Sequence, residues 1–186
     1  MEAVLIVASV ALGFVVNEWR QGVADRELAA RVIRNVRAEV EHNLATIGPQ
    51  VKRHQQIIKT LAANNGREGQ AAWDVLIESL PDRQGFGLVP PRQAAWDAAV
   101  SSGAFRLIDY DLAAAISEIY VTQDRIYGSL TERVTNAIYT VEMFDPGSRS
   151  RALPVLRWVL VEMEGNERFV VELYEKHLPA LRAAAD

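Results

Sequence analysis

Glu39 and His42 stand three residues apart, and His54 follows twelve residues after His42. A Glu-x-x-His step puts both side chains on one helix face, the spacing used by carboxylate-bridged di-metal sites in helical bundles. Such sites need a second Glu-x-x-His and two more glutamates. The residue three before His177 is Tyr174, so the second motif is missing. A turn at Gly48-Pro49 would bring His54 back towards His42 and complete a set of two imidazoles and one carboxylate. The competing reading puts these residues on solvated faces, and it is the one adopted: Glu39, His42 and His54 are weak metal candidates, and no cofactor is expected. Ser101 and Ser102 lack a Gly-x-Ser-x-Gly frame and an evident His partner. No glycine-rich phosphate loop is present. No catalytic residue is assigned, and the chain reads as non-enzymatic.

The composition narrows the remaining classes. The chain has 186 residues, enough for one domain with its own core, and 49% of them are hydrophobic. The net charge of −4 offers no basic face for nucleic acid. Cysteine is absent, which excludes disulfides and thiolate metal sites.

The run from Ala3 to Val16 holds fourteen residues without a charge. As a helix it covers about 21 Å, short of the ~30 Å of a hydrocarbon core. No Lys or Arg precedes it, and the small-x-small step Ser9-Val10-Ala11 falls inside it, which argues against a cleaved signal peptide. Val4, Leu5, Ile6, Val7, Val10, Leu12, Phe14, Val15 and Val16 point all ways round a helix, the pattern of a segment in lipid or at the centre of a large core. A chain of this size has little room for the second. Trp19 and Arg20 then arrive where an interfacial anchor belongs. The expectation is a membrane-spanning or membrane-anchoring segment at 1–19, with any missing span length upstream of Met1, and a helical domain at 20–186. Glu2, Ser9, Gly13 and Asn17 share one stripe. Ser9 and Gly13 form a small-xxx-small pair and Asn17 can hydrogen-bond across, so this stripe is the expected partner-binding face.

Helical periodicity continues past Trp19 through Val23, Leu28, Val32, Val36, Val40, Leu44 and Ile47, with Gly48-Pro49 expected to end the helix. Further helices are expected at 50–63, 70–80, 92–102, 110–144 and 150–184. The glycine- and proline-rich stretch 81–91 is a loop. Asp109 reads as an N-cap and Gly103 as a left-handed helix stop. "QAAWD" occurs at 70–74 and 93–97, and each Trp is expected to anchor its short helix in the core. No strand pattern appears. The fold class is all-α: a long N-terminal helix continuing from the membrane into an antiparallel helical bundle.

Two stretches, "EAVLIVASVALGFVVNEWRQ" and "AWDAAVSSGAFRLIDYDLAAAISEIYVTQDRI", together cover about a quarter of the chain. They resemble the signatures of a family of bacterial one-pass membrane proteins of no established activity. The matching positions are Glu2, Asn17, Trp19, Trp96, Ser102, Gly103, Ile108, Leu112, Ser117 and Tyr120. The basic tail usual before the Glu is missing here. The resemblance implies an inner-membrane helix with the helical domain on the periplasmic side. Charge gives no orientation, because Asn17–Ile47 carries five basic and five acidic residues.

The expected function is therefore a membrane-anchored accessory or assembly protein whose partners are lipid and another membrane protein or a second copy of itself, with no nucleic acid. The alternative is a soluble bundle that binds a small ligand between its helices.

Overall fold

The computed structural model describes residues 2–64, 71, 74, 77, 78, 88–140, 145 and 147–185; side chains are described from Ala11 onward, those of Ile138 and 149–153 excepted. Every regular element among these residues is helical. Helix α1 is Glu2–Ala63, α2 is Ala94–Ser101, a 3₁₀ turn spans Ala104–Leu107, α3 is Tyr110–Ile138 and α4 is Arg149–Ala185. The all-α expectation holds. The short helix expected at 70–80 lies largely outside the described residues, as do Trp73 and most of the loop 81–91.

Cross-helix hydrogen bonds give the chain directions. Along α1, Glu41, His54 and Gln55 meet Arg182, Glu167 and Glu164 in that order, so α4 runs antiparallel to α1. Glu118 and Gln123 meet Lys176 and Tyr174, so α4 also runs antiparallel to α3. The apolar stripes that point inward are those the 3.6-residue period picks out. Val32, Val36, Val40 and Ile47 of α1, and Ile116, Ile119, Tyr127, Leu130 and Val134 of α3, are buried. Val23 and Leu28 are not, because the packed region begins at Val32.

Gly48-Pro49 does not end the first helix, and no separate helix begins at residue 50: α1 passes straight through Pro49. Proline has no N–H for the carbonyl four residues back, which costs about 3 kcal/mol in a helix interior. The flanks offset this. Ile47 is fully buried, Gln50 and Val51 nearly so, while the proline ring sits on the exposed side where it displaces no packing. In α4, Pro154 and Pro179 both lie inside the helix, and both are exposed.

The corner between α2 and α3 follows the sequence signals. Gly103 adopts φ 69°, and its N–H donates to the Val100 carbonyl at 3.1 Å. A side chain is disfavoured at that φ. The Asp109 carboxylate accepts from the N–H groups of Asp111 and Leu112, a helix N-cap. Between them Ala104 and Ile108 are buried, and Phe105 meets Trp96 edge-on at 5.0 Å. Trp96 in turn stacks on Tyr120 at 5.2 Å. Helix α2 starts at Ala94 rather than Arg92. The reason is that Asn43 holds Arg92 by both its N–H and its carbonyl, each at 2.8 Å, in a non-helical conformation.

Candidate functional site

Two features stand apart from ordinary core packing: the outer end of α1 and a set of buried polar side chains.

Residues 11–20 of α1 are exposed without exception. Leu12, Phe14, Val15, Val16 and Trp19 are each more than half exposed, at 65, 70, 63, 53 and 66%. These apolar residues take up somewhat more than half of the helix circumference, and Gly13, Asn17 and Arg20 lie in the remaining arc. Gly13, Asn17 and Arg20 share this exposure, and a Cβ at Gly13 would meet nothing within 4 Å among the described residues. The side chains of Glu2 and Ser9 lie outside the described residues, so the stripe they were expected to form is seen only at its Gly13 and Asn17 end. Among the described residues, no helix is long and apolar enough to cross a membrane.

Farther along, α1 carries a polar stripe that faces inward: Glu39, Asn43, Gln50 and His54, at steps close to whole turns. Glu39 accepts the Ala95 N–H at 3.0–3.1 Å and the Tyr120 hydroxyl at 2.7 Å. It thereby satisfies an open N–H of the first turn of α2, where a negative charge is favoured. Asn43 grips Arg92 as described. Gln123, 1% exposed, donates to the same Arg92 carbonyl at 3.2 Å and accepts from the Tyr174 hydroxyl at 2.7 Å. Gln50 accepts the Val89 N–H at 3.3 Å. The segment 88–95 is thus held against the helices by side chains of α1 and α3.

His54 corrects the expectation of a solvated face. It is fully buried, and its Nδ1 lies 2.6 Å from Oε2 of Glu167, also fully buried. Glu39 is likewise committed to α2 and Tyr120, while His42 is exposed and close only to Thr46 of its own helix. The structure therefore does not bring Glu39, His42 and His54 together, and among the described residues no three acidic or imidazole groups form a metal set. The His54–Glu167 pair divides the interior into two apolar clusters. One runs from Val32 to Val51 on α1 with Tyr127 and Val170; the other holds Ile57, Leu130, Leu156, Leu160 and Met163. The Oε1 atom of Glu167 and the hydroxyl of Tyr127 are buried without a hydrogen-bond partner. Burial, then the nearby Glu167 charge, raises the Tyr127 hydroxyl far above its ordinary value. Buried between α1 and α4, the pair fixes the register of one helix on the other.

Sequence reasoning singled out His54 but missed its burial and its partner Glu167. A signal was present. His54 falls seven residues after Ile47, and Glu167 seven after Leu160 and three before Val170, so both occupy apolar stripes.

Comparison of the chain with family models, with curated proteins and with solved structures gives no match. The resemblance to one-pass membrane proteins rests on the quoted residues alone.

Proposed function

We propose that this chain is a membrane-anchored, non-enzymatic accessory protein of the bacterial inner membrane. In this reading α1 leaves the bilayer near Trp19 and continues as the central helix of a periplasmic domain that binds a partner. The observation that carries the reading is the exposure of residues 11–20: an apolar segment uncovered on all sides, on the same unbroken helix that enters the core. Large uncovered apolar surface marks a membrane or protein contact. Lipid accounts for the exposed Leu12, Phe14, Val15 and Val16, and Trp19-Arg20 supplies the boundary residues. The Ser9–Gly13–Asn17 stripe is the candidate contact with another membrane helix or a second copy.

The test is fractionation of the native protein carrying a C-terminal reporter that is active only outside the cytoplasm. Retention in the pellet after carbonate extraction, with an active reporter, is expected. Recovery of intact protein in a detergent-free supernatant overturns the anchor. A Gly13→Leu variant should stay in the membrane but lose co-purifying partner helices.

A further inference from the structure

Helices α1 and α4 leave a groove of about 420 Å³ between them on the side where Gly48 and Pro49 sit. Leu44 and Val51 of α1 and Val171 of α4 supply its apolar surface, and Lys52, Arg168 and Glu175 its charges. The volume falls within the range of small-molecule sites, about 300–1,000 Å³. Glycine and proline both weaken a helix interior. Here neither serves the core: Pro49 is exposed, and a Cβ at Gly48 would meet nothing within 4 Å. What the two residues do is keep one wall of the groove free of long side chains. Pro49 also lacks an N–H, so the Ala45 carbonyl one turn back loses its helical donor and can accept from a ligand N–H.

The charges are sorted by sign along the groove. His54 meets Glu167 across the two helices, which puts Lys52 and Arg168 at the same end. Glu175 lies seven residues beyond Arg168, about 10 Å farther along α4. Lys52 and Glu175 are exposed, and neither has an ion-pair or hydrogen-bond partner among the described residues. Arg168 reaches Glu164 only at 3.7 Å, and Glu164 already accepts from Gln55 at 2.7 Å. A cationic end and an anionic end thus flank an apolar floor. A lone anion or cation would match one end and leave the other unused. An extended peptide of three residues spans about 10 Å, with a carboxylate at one terminus, an ammonium at the other and N–H groups between them.

We propose that this groove binds a short apolar peptide of about three residues with free termini. Its carboxylate lies on Lys52 and Arg168, its ammonium on Glu175, and its side chains over Leu44, Val51 and Val171. The site is separate from the contact assigned to the outer end of α1 and does not rest on membrane attachment.

The full chain in a nonionic detergent is titrated calorimetrically with valyl-leucyl-valine and, separately, with its N-acetylated and its C-amidated forms, each against detergent alone. Saturable binding of the free tripeptide is expected, with either capped form at least about tenfold weaker. Lys52→Glu and Glu175→Lys should each weaken the free tripeptide at least about tenfold without moving the unfolding temperature, because both side chains are exposed and unpartnered. Gly48→Leu should fill the groove and abolish binding. Should that variant misfold, the two charge variants still decide. No binding up to about 10 mM, equal affinity for the free and capped forms, or unchanged binding in Lys52→Glu or in Glu175→Lys each overturns the proposal.

Discussion

At the scale of single residues, the His54–Glu167 contact is the most consequential pair in the chain. Removing one member of a buried hydrogen-bonded pair leaves the other without its partner, at a cost of about 1–3 kcal/mol. His54→Ala or Glu167→Ala should each lower the unfolding free energy from urea melts by that amount, and the double variant by less than the two single losses combined. Replacing both with a fitted apolar pair should recover stability and would show that the pair sets register rather than strength. The buried tyrosines make a second prediction. Burial raises the hydroxyls of Tyr120, Tyr127 and Tyr174 well above their ordinary value of about 10, with the Glu39 hydrogen bond adding to the rise at Tyr120. The folded state thus holds these protons more tightly than the unfolded chain. Their contribution to stability is whole below about pH 10 and shrinks as pH climbs above it. Stability from urea melts should therefore fall steeply above about pH 10, and the tyrosinate absorbance of these three residues should appear only with unfolding. On the surface, the hydrogen bond from the Lys176 ammonium lowers the Glu118 carboxyl below its ordinary value against an opposing desolvation, with His177 adding to the fall. A carboxyl NMR titration should place its midpoint below that of a free glutamate.

At the scale of elements, caps and breakers can be weighed separately. Asp109→Ala removes the acceptor for two N–H groups at the start of α3 and should cost about 1 kcal/mol. Pro49→Ala restores a helical N–H on an exposed face of α1 and should raise the unfolding temperature. A fall instead would mean that the proline shapes a contact on that face. These elements also show what was readable beforehand. Asp109 and Gly103 act within four residues of themselves, so their roles were legible. The stripe Val32, Val36, Val40 and Ile47 was legible because burial imposes its own period. The passage of α1 through Gly48-Pro49 was not, since a local penalty was outweighed by burial at Ile47, Gln50 and Val51 against distant partners. Nor was the meeting of His54 with Glu167, across 113 positions, because no local pattern encodes which buried groups will face one another. The start of α2 was misplaced for the same reason: Asn43, far back in the chain, decides the conformation of Arg92.

At the scale of the whole molecule, the packed region and the exposed end of α1 are separable in stability. Buried side chains begin at Val32, so a chain starting at Gly22 should fold with an unchanged unfolding temperature. It should also remain in solution without detergent, whereas the full chain should need detergent or bilayer. Loss of the cooperative transition in the shorter chain would show that residues before Gly22 contribute to folding.

Helix α1 is a single helix of 62 residues, about 93 Å from end to end, exposed over residues 11–20 and, from Val32 on, the mast around which the others are assembled. Such a shaft has no joint between the two halves. A tilt or twist imposed near Trp19 is carried along the helix to the His54 layer some 50 Å away, and a load on the packed half is returned the same way. Gly48-Pro49 is the weakest link along that route, and a push strong enough to bend the rod would bend it there first.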